Sequence, residues 1–267
     1  MDLGFGGSSV AVAGGSRGMG RAIAECLAAE GARVAVLARG REALDRTAAS
    51  CREAGSPDVV ALTVDLGSRP DVERVFAQLD ERWGELNVLV HTVGPGAGRL
   101  EELDDDGWAE AFRLGTMAAV HTARAALPLL RRAEWARVVN LSAHSIQRQN
   151  PMLVAYTASK AALTSFTKNL AKSLAPDGIL VNTVSPGTIV TPSFTENLRP
   201  VFEKAGLDPS DPHDVMGWIE QVYHQPADLG RAGLPEEVAA VVAFLASRRN
   251  GYVTGANVNV DGGSDFV

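Results

Sequence analysis

Short apolar runs alternate along the chain with longer amphipathic segments. The runs Ser9–Ala13, Arg33–Ala38, Val59–Val64, Leu86–His91, Arg137–Leu141, Ile179–Val184 and Ala256–Val260 read as strands. Between the first two lies an Ala-rich helix reaching Glu30, with Gly31 as its stop. Further helices are expected over Arg41–Glu53, over Asp71–Trp83 after the cap-like Ser68-Arg69-Pro70, and over Asp105–Arg131. This last one is interrupted by Gly115 and is expected to end near Pro128. Another runs through Val154–Leu163 to about Leu174, and a capped helix covers Pro235–Ala246. Strands alternating with helices throughout predict an α/β chain, a Rossmann-type doubly wound parallel sheet. Residues 192–234 break the pattern and are rich in Pro, Asp and His, which predicts an irregular lid or substrate loop. No repeat or linker divides the chain, so residues 1–267 are expected to form a single dinucleotide-binding domain.

Composition narrows the function. The formal net charge is −7, from 25 basic and 32 acidic residues, and no basic block is present. That argues against nucleic acid as a partner, while a small anionic cofactor needs only local positive groups. Cys26 and Cys51 both fall in predicted helices, so no structural disulfide is expected and the chain reads as cytoplasmic. The stretch MDLGFGGSSVAVAGG has neither a basic n-region nor a long apolar run. Neither a signal peptide nor a membrane span is expected.

The first strand runs into Gly14-Gly15-Ser16-Arg17-Gly18-Met19-Gly20 and then a helix. In that context glycines bring backbone N–H groups and bare Cα atoms up to a pyrophosphate. The second strand ends in Arg39, with no Asp or Glu at the position that would hold the ribose 2′-OH of NAD. Arg39, assisted by Arg17, suits the 2′-phosphate of NADP(H), and NAD(H) is the lesser alternative. Asp65-Leu66 closes the third strand where an adenine edge would be held. The fourth strand leads into Thr92-Val93-Gly94, at the sheet edge where such folds bind ligands.

Tyr156 and Lys160 lie four residues apart in VAYTASKAAL, which puts both side chains on one helix face. A free phenol titrates near 10, too high for efficient acid/base work at neutral pH, and a neighbouring ammonium lowers it.

Taken together, AGGSRGMG, Asp65-Leu66, YTASK, VNTVSPGTIVT and VNVDGG, in this order and spacing, resemble the short-chain dehydrogenase/reductase family over nearly the whole chain. The resemblance implies a seven-stranded sheet, a nicotinamide cofactor at its C-terminal edge, a small-molecule substrate and a homo-oligomer, tetramer or dimer. It casts Tyr156 as the acid/base. Lys160 becomes the residue that lowers the Tyr156 pKa and holds the nicotinamide ribose. Pro186, Gly187, Ile189 and Thr191 match the segment around the nicotinamide; Gly14, Ser16, Gly18, Met19 and Gly20 match the pyrophosphate turn. The implied reaction is hydride transfer between a carbonyl and an alcohol.

Three departures from the family pattern bear on the chemistry. The NNAG loop is His91-Thr92-Val93-Gly94, where Thr92 would replace one hydrogen bond and His91 reads as structural. The family's helix Asn, which anchors a water relay to the Lys, aligns with Gly115. Close approach of the substrate, or a kink holding a water, would account for a glycine there. The family's catalytic Ser aligns with Ala143. Ser142 and Ser145 stand as equal substitutes, Ser145 by sharing the parity of residue 143 if the chain stays extended. A second reading therefore stays open: a dinucleotide-bound isomerase, dehydratase-type enzyme or ligand sensor of the same fold.

Overall fold

The computed structural model describes residues 2–264. The elements are β1 (Ser9–Ala13), α1 (Gly18–Ala29), β2 (Arg33–Ala38), α2 (Arg41–Glu53), β3 (Val59–Thr63), α3 (Arg69–Trp83) and β4 (Val88–His91). There follow α4 (Asp105–Phe112), a π-helical turn (Arg113–Met117), α5 (Ala118–Arg132), β5 (Ala136–Leu141) and α6 (Val154–Leu174). The chain continues with β6 (Ile179–Pro186), α7 (Pro192–Ala205), α8 (Pro212–Tyr223), α9 (Pro235–Ala246) and β7 (Asn257–Val260). The seven strands form one parallel sheet in the order β3-β2-β1-β4-β5-β6-β7. The order reverses between β1 and β4, and the crevice at such a switch point is where doubly wound sheets bind ligands.

Both faces of the sheet are covered. Val10, Val12, Val34 and Val36 pack one face against α1, α2 and α9. Ala11, Ala35, Leu37 and Leu89, at alternate positions, pack the other against α3, α5 and α6. Double burial explains why the strands read as unbroken apolar runs.

Two expectations about helices are corrected. Residues 192–234 are largely ordered helix and not an irregular loop. Thr191 and Asp211 cap the starts of α7 and α8, and Pro192 and Pro212 occupy first-turn positions. Gly206 (φ +70°) and His224 (φ +53°) end them in left-handed conformation. The Pro, Asp and His residues that look like loop composition are helix boundary signals. Phe202, Val215, Met216, Ala227 and Ala232 form a small core of their own between the two helices.

Nor does α5 stop at Pro128. It runs on to Arg132, held by buried Leu129 and Leu130 and by the Leu129 carbonyl, which accepts from the Leu86 N–H at 3.2 Å. Tertiary burial outweighs the hydrogen bond that proline removes.

Gly115 lies in the π-helical turn, packed against α6. A Cβ there would lie 2.2 Å from Ser159 Oγ and 3.2 Å from Pro95 Cδ. Thr116 Oγ1 donates to the Ser159 carbonyl at 2.8 Å, fixing the same contact. The space beside Gly115 is therefore filled by α6, and the expected pocket for a substrate atom or a water at that Cβ does not form. The π turn supplies the expected distortion of the helix.

Both cysteines are free. No helix among the described residues is long and apolar enough to cross a membrane. No cluster of three or more metal-ligating side chains occurs among them.

Candidate active site

The site occupies the C-terminal edge of the sheet, in two adjoining hollows. The first, about 360 Å³, is lined by the turn after β1 (Gly14, Ser16, Arg17), the end of β2 (Arg39), Asp65-Leu66 after β3, and Gly94 after β4. The second, about 530 Å³, is bounded by the end of β5, the start of α6, the segment after β6, and the helices α7 and α8.

The glycine turn is shaped by contact with β4. At Gly14 (φ +89°) a Cβ would lie 2.4 Å from Thr92 Oγ1, and at Gly20 it would lie 2.8 Å from the same atom. No side chain caps the start of α1, so its first N–H groups stay available to an anion. Arg17 and Arg39 are exposed beside this hollow, and neither makes an ion pair within 4 Å among the described residues. Thr92 differs from expectation. Its hydroxyl donates to the Ala13 carbonyl at 3.0 Å and packs on the glycines, outside the lining of the hollow. It shapes the turn instead of facing a ligand.

Asp65 lines the same hollow, and its carboxylate is already engaged. Oδ1 accepts from the Gly67 N–H at 3.0 Å, and Oδ2 from Arg113 Nη1 at 2.9 Å. Arg113 also forms a two-point ion pair with Glu110. Burial raises the Asp65 pKa, but the Gly67 N–H and the Arg113 guanidinium outweigh it and hold the carboxyl below its usual range. Arg113 thus ties the Asp65 end of the hollow to the turn that carries Gly115. It is 48 residues from Asp65 and carries no sequence signal.

Tyr156 and Lys160 stand one turn apart on α6, and Tyr156 lines the second hollow. Lys160 is buried; its Nζ donates to the Val93 carbonyl at 2.8 Å and the Leu141 carbonyl at 2.7 Å. Gly94 leaves room for it, since a Cβ there would lie 3.1 Å from Lys160 Cε. Burial pulls the Lys160 pKa down to about 7 and pushes Tyr156 up to about 12. The lowered phenol that the resemblance implies is therefore not seen in this structure. The ammonium is engaged by strand-end carbonyls, and desolvation governs the tyrosine. His91 is fully buried at the end of β4, with neither ring nitrogen partnered among the described residues. Burial, and then the Lys160 charge, lower its pKa to about 3, in keeping with a neutral structural residue.

These shifts predict a pH dependence. Lys160 falls from 10.5 to about 7 on folding, so above pH 7 the unfolded chain holds the extra proton and stability rises with pH. Cys51, pushed up from 9.0 to about 12 by burial, opposes this above pH 9. In the window between these two pH values the cofactor-free protein should gain stability with rising pH, by at most about 1.4 kcal/mol per unit for one proton. Lys160→Met should flatten the slope in urea titrations; equal slopes in the two proteins would contradict the depressed lysine.

The serine question acquires a geometry. The chain does not stay extended beyond Ala143; His144–Ile146 form a 3₁₀ turn, so the parity argument for Ser145 fails. The turn nevertheless sets Ser145 on the second hollow, where its Oγ accepts from Thr157 Oγ1 at 3.0 Å, leaving its own proton to donate. Ser142 Oγ donates to the Lys160 carbonyl at 3.1 Å and accepts from Thr164 Oγ1 at 2.8 Å. It pins β5 to α6.

The remaining segment divides between two tasks. Met19, Pro186, Gly187, Ile189 and Thr191 all line the second hollow, and Thr191 also caps α7 by accepting from the Phe194 N–H at 3.3 Å. Gly18 (φ +50°) backs onto Thr191, bringing the glycine turn and the segment after β6 together.

A family model described as enoyl-(acyl carrier protein) reductase matches residues 13–265. The 3-oxoacyl-(acyl-carrier-protein) reductase FabG of Haemophilus influenzae is 31% identical over 258 residues, 96% of this chain and 98% of that protein. The chain belongs to the short-chain dehydrogenase/reductase family. It is thus an oxidoreductase of that family, and solved family structures share its whole fold. L-sorbose reductase from Gluconobacter frateurii, complexed with NADPH and L-sorbose, superposes with a TM-score of 0.92 at 30% identity, covering 100% of both chains. A single-residue variant of actinorhodin polyketide ketoreductase with NADPH gives 0.86 at 31% identity, covering 98% of each chain.

Proposed function

We propose that the protein is an NADP(H)-dependent reductase that converts a ketone into an alcohol. The observation that carries this is the position of Tyr156 and Lys160. The phenol lines the hollow closed by α7 and α8, while the ammonium, one turn further on, reaches the Gly94 side of the glycine-lined hollow.

The residues fit the cofactor. The uncapped start of α1 and the bare turn around Gly14 and Gly20 suit a pyrophosphate. Arg17 and Arg39, with no ion pair within 4 Å among the described residues and with no acid at the end of β2, suit a 2′-phosphate and disfavour a bare 2′-OH. The NADPH-bound relatives support the same choice. Bound reduced nicotinamide supplies the hydride that the carbonyl carbon accepts.

The chain's part is to bind, orient and protonate. A phenol held up near 12 stays protonated at neutral pH, so Tyr156 Oη acts as the acid that gives its proton to the substrate oxygen as the carbon is reduced. Ser145 is the donor placed to hold that oxygen, while Ser142 serves as a strut. Lys160, tied to the ends of β4 and β5, has a third ammonium proton for the cofactor ribose. The direct test mixes purified protein, NADPH and a panel of ketones and follows the nicotinamide absorbance. Oxidation of NADPH with formation of the alcohol is expected. No loss with any ketone class would overturn the reading.

A further inference from the structure

We propose that the hollow above Tyr156 takes a bulky, apolar ketone with an aromatic or alicyclic body and one oxygen to be bound, in preference to a ketose or other polyol. This rests on the reductase reading of the site.

The hollow, about 530 Å³, is of ordinary small-molecule size; the side lined by Pro186, Gly187, Ile189 and Thr191 is the nicotinamide's, and the part left toward α7 and α8 suits a compact body of about two rings. Its far wall is Met152 together with Phe194, Leu198, Trp218, Ile219 and Tyr223 from the two lid helices. The aromatic part is braced. The Trp218 ring lies 5.2 Å from that of fully buried Phe202 and meets the Tyr223 ring edge-on at 5.5 Å. Such a wall offers flat apolar contact at small entropic cost. Among the described residues, no Asp, Glu or Lys side chain lines the hollow.

The polar side chains around it are largely spent on the protein itself. Arg148, its one guanidinium among the described residues, donates to the carbonyls of Pro226 and Ser264. Asn150 Oδ1 accepts from the Met152 N–H at 2.9 Å, and Gln225 Nε2 donates to the Gln149 carbonyl at 3.3 Å. Thr191 Oγ1 is taken by the Phe194 N–H, Ser142 bridges to α6, and His144 Nδ1 lies 3.2 Å from the Pro186 carbonyl. What remains among the described residues is the Tyr156 and Tyr223 hydroxyls, the Ser145 proton, the Thr188 hydroxyl, the Trp218 Nε1–H, the Nε and Nη2 groups of Arg148 and single amide atoms of Asn150 and Gln225. They come from separate elements and stand beside a larger apolar wall. A ketose would exchange the water partners of several hydroxyls for a wall that returns few of them. A monoketone carries one acceptor, and Tyr156 and Ser145 are the two donors for it. The selectivity is therefore opposite to that of the L-sorbose reductase sharing the fold.

The test separates binding from turnover. Protein saturated with NADP⁺, which cannot reduce a ketone, is titrated calorimetrically with 2-tetralone and with L-sorbose. A Kd at least about a hundredfold lower for 2-tetralone is expected, the discrimination that mismatched polar groups typically give. Trp218→Ala should weaken 2-tetralone at least tenfold, whereas Trp218→Phe, which keeps the ring wall, should stay within a few-fold. L-sorbose binding as tightly as 2-tetralone, or failure of both to bind, overturns the inference. Selective binding of 2-tetralone without reduction by NADPH would uphold it and overturn the reductase reading instead.

Discussion

Tyr156→Phe should lower kcat for ketone reduction by about 10²- to 10⁴-fold, the usual worth of a positioned proton donor. The substitution keeps the ring and removes only the hydroxyl, so the wall of the hollow and the α6 packing should survive. NADPH affinity and thermal stability should be close to unchanged, because Tyr156 lines the substrate hollow and not the glycine-lined one. Lys160→Ala should behave differently. Lys160 joins the carbonyls of Val93 and Leu141, so its loss should loosen the ends of β4 and β5 and weaken cofactor binding as well as turnover. Stopped-flow single-turnover traces and cofactor titrations on the same preparations distinguish the two patterns. Near-normal turnover in Tyr156→Phe would remove the phenol as proton donor and return the non-redox readings to contention.

What the sequence made legible was local. The glycine turn, Arg39 after β2 and the Tyr156/Lys160 spacing are each set by neighbours along the chain, and periodicity suffices to place them on the sheet edge. What it hid depends on contacts between distant segments. Arg113, in the π-helical turn, meets Asp65 from 48 residues away, and nothing near it in the chain marks that role. Ser142 and Ser145 look equivalent by spacing; the 3₁₀ turn and the approach of α6 give one a strut's bonds and leave the other a free proton. Gly115 reads as a vacancy in the chain, whereas the neighbouring helix fills it. The lid misleads for a different reason. Its Pro and Asp residues are as common at helix starts as in loops, and only the packing of Phe202, Val215 and Met216 decides between the two.

The second large effect concerns the cofactor. NADPH and NADH differ at the 2′-phosphate, so a preference between them isolates what binds that group. Arg17 and Arg39 are exposed at the glycine-lined hollow. A hydrogen bond to a charged group contributes about 1.5–3 kcal/mol, so each arginine would be worth roughly tenfold to a hundredfold in affinity. Exposure and salt screen the attraction, which places a single substitution toward the lower end. Calorimetric titration should show the unmodified protein binding NADPH at least about a hundredfold more tightly than NADH. Arg39→Ala should erase most of that margin, and Arg17→Ala a smaller part, because Arg17 sits in the turn that also meets the pyrophosphate. Arg39→Ala should leave NADH affinity nearly unchanged, whereas Arg17→Ala should weaken both cofactors through the shared pyrophosphate. The margin should also shrink as salt is raised, since the contacts are ionic and solvent-facing. Arg39→Asp is the stronger form of the test, as a carboxylate at the end of β2 would repel the phosphate and accept from a ribose 2′-OH, turning the preference toward NADH. Equal affinities for the two cofactors in the unmodified protein, or a preference that survives Arg39→Asp, would show that the end of β2 does not read the 2′ position.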